Sequence, residues 1–285
     1  MAGRTAGSAE ADSRAGSVTE MAEELVSQAR EAAAVFTQYG QADVDRIVDA
    51  AAKAGAARRI ELARMAVEET GMGVFEDKVT KNLFATEYVY HDIRHVRTVG
   101  LVNDCPEAGL MEFAEPLGVI LGVIPITNPT STTMFKSLIS LKTRNSIIIC
   151  PSRNALKCSI EAAKTMYDAA VAAGAPDYVI RWVEQPSREL THALMTHPKV
   201  SLILATGGMG LVQAAYSSGR PAIGVGPGNV PVYIHRSADV RSAVNDVLLS
   251  KTFDNGTICA SEQALVVDQA VEEAVVEQLV AQGAY

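Results

Sequence analysis

The sequence predicts an α/β protein: a parallel sheet with N-terminal helices beside it, followed by the opening of a second α/β layer. Three observations carry this. Short runs rich in Val and Ile, without polar alternation, recur between residues 118 and 225, as strands buried on both faces do. Helical segments separate these runs, and strand–helix alternation implies parallel pairing. Before residue 100 the apolar residues fall instead at helical spacing.

Taken in order, residues 1–17 are Ala, Gly and Ser with scattered charges and read as a disordered tail. From Thr19 to about Arg97 the pattern is helical. Met21, Leu25, Val26, Ala33 and Phe36 mark one stripe; Ile47, Ala51, Ile60, Leu62, Met65 and Ala66 mark others; Gly71 and Gly73 punctuate. Asn103–Gly109 reads as loop. Strands are expected at Gly118–Ile124, Ser146–Cys150, Tyr178–Val183, Val200–Ala205 and Ala222–Val225, each followed or preceded by a helix. After Pro231 come a strand at Val232–His235, a helix from Ser237, a polar loop with Cys259, a strand at Ala264–Val267 and a helix from about Asp268. This divides the chain into a tail, a first domain over 18–231 and an incomplete second one over 232–285.

The bulk numbers exclude several classes. The 285 residues are 48% hydrophobic and 20% charged, a soluble composition with a sizeable core. Net charge is −8, and no basic stripe runs through the chain, so nucleic acid is not an expected partner. The longest apolar stretch, Pro116–Ile126, is too short to span a bilayer. The N-terminus lacks a signal-peptide core, and Glu10 and Asp12 argue against a transit peptide. Cys105, Cys150, Cys158 and Cys259 form no CxxC pair, which fits free thiols in the cytoplasm. His91 and His95 stand four apart without a third ligand, so a surface pair is expected rather than a metal site.

Ligands of a parallel sheet sit beyond the carboxyl ends of its strands, and four loops qualify. In PITNPTSTTMFKSL, Asn128 before Pro129 reads as a helix cap, or as an amide turned into the cleft to donate to an oxyanion. In LATGGMGLV, Thr206, Gly207 and Gly208 open a helix where a phosphate can approach the backbone, or simply make a tight turn. GVGPGNVP resembles a GxGxxG fingerprint, but Pro227 and Pro231 forbid the helix that motif needs. Residues 221–238 also contain no Asp or Glu. In FDNGTICASEQ, Cys259 is either a small core residue or a nucleophile. Asp254 and Glu262 would raise a thiol's pKa, so any activation must come from elsewhere.

Together these loops resemble the aldehyde dehydrogenase superfamily, above all the CoA-acylating half of bifunctional aldehyde–alcohol dehydrogenases. The most specific stretches are NPTSTTMFKSLISLKTRN, LILATGG, AAYSSGRPAIGVGPGN and SKTFDNGTICASEQ. The resemblance implies a nucleotide-binding domain of aldehyde dehydrogenase type, Cys259 as nucleophile and Asn128 as oxyanion donor. It implies NAD contacts at Ile124, Pro125, Ile126, Thr127, Pro151, Ser152, Thr206, Gly207, Gly208 and Gly226. Arg153, near the expected adenosine site, makes NADP the alternative to NAD. CoA and a small aldehyde would be co-substrates, acetaldehyde first among them. Hydrolytic relatives carry a Glu where this chain has Val225, so a water-activating base is missing and a thiol acceptor is implied. The resemblance further implies a homo-oligomer, with a subunit-bridging hairpin near 105–117 and filament assembly in a full-length form. The family's aldehyde module continues beyond Tyr285, which implies that this chain alone binds nucleotide weakly, if at all, and turns over slowly or not at all. The competing reading is a non-catalytic nucleotide-binding or assembly module.

Overall fold

The computed structural model describes residues 5–284, with side chains from Gly16 onward. Helix α1 runs over Thr5–Phe36, so the tail expected to be disordered over 1–17 is helical from Thr5; residues 1–4 lie outside the described residues. Ala and Glu, strong helix formers, extend a helix whose later turns are anchored by buried Ala22, Val26, Ala29 and Phe36. Next come α2 (Gln41–Ala57), α3 (Arg59–Thr70) and α4 (Phe75–Leu83). A π-helical turn, Phe84–Tyr88, carries α4 into α5 (Val89–Ile93), so the helical region ends slightly before the expected Arg97.

A hairpin follows, β1 (Gly100–Cys105) and β2 (Leu110–Ala114), joined by a short 3-10 turn. The loop expected from Asn103 is therefore strand as far as Cys105. Cross-strand pairing overrides the local turn chemistry: Asn103 pairs with Glu112 and its Nδ2 donates to the Glu112 carboxylate at 3.0 Å. Leu110, Met111 and Phe113 are exposed along β2.

The central sheet is parallel. Its strands are β3 (Val119–Val123), β4 (Ser146–Cys150), β5 (Ile180–Trp182), β6 (Leu202–Thr206) and β7 (Ala222–Val225). Their order is β5-β4-β3-β6-β7. Between them lie α6 (Pro129–Lys142), α7 (Leu156–Ala172), α8 (Arg188–Thr196) and α9 (Met209–Tyr216). Successive side chains enter different cores, which is why the strands show no polar alternation. Ile147 and Ile149 join Val48, Leu138 and Met166 on one face, while Ile148 joins Val26, Leu190 and Ile203 on the other.

The second layer is a separate parallel pair, β8 (Val230–Ile234) and β9 (Glu262–Val267), with α10 (Val240–Thr252) and α11 (Glu272–Ala281). Its small core is Ile234, Val244 and Val275. Among the described residues no helix is long and apolar enough to cross a membrane. His91 and His95 are exposed near the end of α5.

Candidate active site

The strand order reverses between β3 and β6, so the ligand crevice of this sheet lies beyond their carboxyl ends. Ile124, Pro125, Ile126 and Thr127 leave β3 there; Thr206, Gly207 and Gly208 leave β6. Lys136 ties the two strand ends together from beneath. Its Nζ donates to the carbonyls of Val123 and Leu204, both at 2.7 Å, and burial pushes its pKa down to about 7.

At Gly208, just before α9, nothing stands within 4 Å of where a Cβ would be, so a ligand can approach the backbone and the helix start. Gly226 belongs to the same cluster: its missing Cβ would lie 3.2 Å from Met209 Sδ and 3.9 Å from the Gly207 carbonyl. Pro151 and Ser152 follow β4, on the other side of β3. The exposed Arg153 beside them donates from Nε to the Pro186 carbonyl at 2.8 Å.

Cys259 is exposed, whereas Cys150 and Cys158 are buried. A turn closed by Ser261 N donating to the Ile258 carbonyl at 3.1 Å carries it outward. Two αL residues precede it, Asp254 at φ 50° and Asn255 at φ 53°, followed by Gly256 at φ 67°. Three left-handed residues in succession reverse the chain after α10, which explains Asp, Asn and Gly there. The wall opposite is Gly228, whose missing Cβ would stand 3.1 Å from the Cys259 carbonyl.

Asn128 occupies the cap position of α6, yet its side chain makes no capping bond. Its Oδ1 accepts from Lys81 Nζ at 2.7 Å; its Nδ2 donates to Thr127 Oγ1 at 3.0 Å and lies 3.4 Å from the Thr257 carbonyl. The amide therefore faces the cysteine loop rather than its own helix.

Sequence reasoning missed the group that holds this loop. Asp254 is fully buried, with its carboxylate between two lysines of α4. Lys78 Nζ is 3.0 Å from Oδ2, and Lys81 Nζ contacts the same oxygen. Val74 N donates to Oδ1 at 2.7 Å and Thr257 Oγ1 to Oδ2 at 2.6 Å. Burial alone would raise this carboxyl's pKa, but the bonds from Lys81, Thr257, Val74 and Lys78 outweigh it and hold it below the usual range. Burial acts the other way on Lys81, whose pKa is lowered despite its bond to Asp254. The Asp254 carboxylate that the sequence places near the thiol is itself paired with the ammonium groups of Lys78 and Lys81. The buried positions of α4 are Lys78 and Asn82, polar where an apolar stripe is usual.

No carboxylate comes from residues 221–238, and Val225 is exposed at the end of β7. The chain is 53% identical over 270 residues to the bifunctional aldehyde-alcohol dehydrogenase of Escherichia coli, covering 94% of this chain and 30% of that protein. It superposes with TM-score 0.90 and 49% identity on an acetylating aldehyde dehydrogenase from Geobacillus thermoglucosidasius, over 95% of this chain and 60% of the other. A propionaldehyde dehydrogenase from Rhodopseudomonas palustris, solved with bound CoA and an acylated cysteine, matches with TM-score 0.81 and 31% identity, over 93% of this chain and 60% of its own. The sequence model of the Aldehyde dehydrogenase family matches residues 9–284, and the chain belongs to that family.

Proposed function

We propose that this chain carries the thiol half-site of an NAD-dependent, CoA-acylating aldehyde dehydrogenase acting on a small aldehyde, acetaldehyde first. The observation that carries the reading is the Asn128 amide, which forgoes the cap of its own helix and faces the loop of an exposed cysteine. A cap forgone costs about 1 kcal/mol, so the amide's position calls for another use.

The chemistry follows from the residues. The Cys259 thiolate adds to the aldehyde carbon, forming a thiohemiacetal oxyanion. The Asn128 Nδ2 and the Cys259 backbone N–H donate to that oxygen. A bound NAD would supply the hydride acceptor. The open backbone at Gly208, with Gly207, Thr206 and Gly226, would hold its phosphates, and Ile124–Thr127, Pro151 and Ser152 its adenosine side. The acyl group is left on Cys259 as a thioester. With no carboxylate in 221–238 to activate water, the thioester waits for the thiol of CoA. Exchange between thioesters is nearly balanced, so the sequence also runs from acyl-CoA to aldehyde. Arg153, whose Nε donates to the Pro186 carbonyl, keeps NADP as the alternative cofactor. The exposed apolar residues of β2 fit the bridging hairpin of an oligomer. This chain spans 30% of the curated Escherichia coli relative, so the proposal covers the thiol chemistry and not that protein's whole activity.

The test is acylation in reverse. Incubated with acetyl-CoA, the chain is expected to gain one acetyl group on the peptide containing Cys259, and Cys259→Ser none. Iodoacetamide should alkylate Cys259 faster than the other three cysteines, at a rate that NAD changes. Equal labelling of all four thiols, indifferent to NAD, sinks the reading.

A further inference from the structure

A primary amide has two ends of similar shape and opposite polarity, and only its nitrogen end can donate to an oxyanion. Something must decide which end faces the thiol. Lys81 has three donors and no acceptor, so whatever part of Asn128 it touches must be Oδ1. Its Nζ lies 2.7 Å from that oxygen. Its other partners fix the ammonium itself: the Asp254 carboxylate, and Thr257 Oγ1 at 3.3 Å. Three donors thus meet three acceptors. Two of those acceptors belong to the loop that carries Cys259, and the third is the amide opposite it. The side chain is 10% exposed, so little water competes for these bonds. Lys78 completes the frame, bonding Asp254 Oδ2 at 3.0 Å and the Thr127 carbonyl, one residue before Asn128, at 2.9 Å.

We propose that Lys81 is a positioning residue for the reaction: by occupying Asn128 Oδ1 it turns the amide nitrogen toward the cysteine loop, and by holding Asp254 and Thr257 it sets the distance between that amide and the thiol. The proposal rests on the reading of Cys259 and Asn128 given above. It makes α4, an element of the N-terminal helices, part of the reaction centre. Lys81 itself does not touch the reacting atoms.

The experiment is a double-mutant cycle on the NADH burst given by the chain with acetaldehyde, NAD and CoA. Asn128→Ala should lower the burst rate by about 100- to 1000-fold, the usual loss for one oxyanion donor. Lys81→Met should lower it by about 100-fold with little change in KM, as a misplaced group does. The double variant should be no slower than Asn128→Ala, because Lys81 works through the amide. Lys81→Arg, which keeps a cation on Asp254, should keep the thermal unfolding temperature near wild type and still lose rate, since a planar fork cannot reproduce the three-way contact. Independently of turnover, the Asn128 side-chain NH2 pair, identified in the 15N spectrum by its loss in Asn128→Ala, should shift or double in Lys81→Met. Multiplicative losses in the double variant, or an unmoved Asn128 amide signal in Lys81→Met, overturn the role of Lys81. A wild-type chain with neither burst nor acylation overturns the underlying reading instead, and the amide spectrum still decides whether Lys81 orients Asn128.

Discussion

At the scale of single residues, Asp254 is the most constrained group near the thiol. It is fully buried, it sits at φ 50°, and its carboxylate balances two ammonium groups. Gly73 makes room for it: a Cβ there would lie 2.0 Å from Asp254 Oδ1, and the φ of 79° is itself one that glycine tolerates best. Asp254→Asn isolates the charge, because Asn accepts the left-handed backbone equally well. That variant leaves the buried Lys78 and the mostly covered Lys81 without their shared carboxylate and should lose about 3–5 kcal/mol, read from urea unfolding followed at Phe253 and the cysteine loop. The same ion group gives a pH signature. Its folded pKa is depressed, so its stabilisation is present above the unfolded value near 4 and disappears as pH falls through the folded one. Wild type should therefore lose stability on acidification below about pH 4, and Asp254→Asn should show a smaller loss over that window. Cys259 and Asn128 could be singled out as candidates because a thiol and an Asn-Pro step stand out in polar loops, and the family resemblance then proposed roles for both. Lys78 and Lys81 could not be. Two lysines three apart on a short helix look like a solvated face, and the partner that reverses this reading lies 176 and 173 residues away.

At the scale of elements, the strands were the most legible part, because the Val and Ile runs serve two cores at once. The β1–β2 hairpin was less so, since Asn103 and Asp104 carry turn chemistry and only the pairing with Glu112 and Met111 makes them strand. The joint between β3 and β6 offers a sharper test. Lys136 has no carboxylate partner there, only two carbonyls, and burial holds its pKa at about 7 against an ordinary value of 10.5. The unfolded chain then binds more protons than the folded one between those values, so stability contributed at this position rises with pH across that window. Lys136→Met should abolish this rise. Urea unfolding at about pH 7 and about pH 9.5 checks it: wild type gains relative to the variant at the higher pH. An identical pH slope in both proteins would show that the two carbonyls keep the ammonium charged throughout.

At the scale of the whole molecule, two layers of unequal support share one chain. Strands β3, β4 and β6 of the central sheet are covered on both faces, whereas β8 and β9 rest on a core of three buried side chains and leave Tyr233 and Val266 exposed. Local opening follows buried contacts, so amides of β8, β9 and α11 should exchange with deuterium well ahead of those in β3, β4 and β6. Mass spectrometry of peptides from an exchange time course reads this directly, and equal protection of both sheets would contradict it. The fold class was readable at this scale, but the bridge from α4 to the cysteine loop was not, because periodicity describes neighbours along the chain. That bridge has a temporal consequence. Lys81 and Asp254 close a ring of 173 residues, one of the slowest kinds of contact to form. On the reading proposed above, a molecule whose strands are built while that ring stands open would carry Cys259 without an oriented amide.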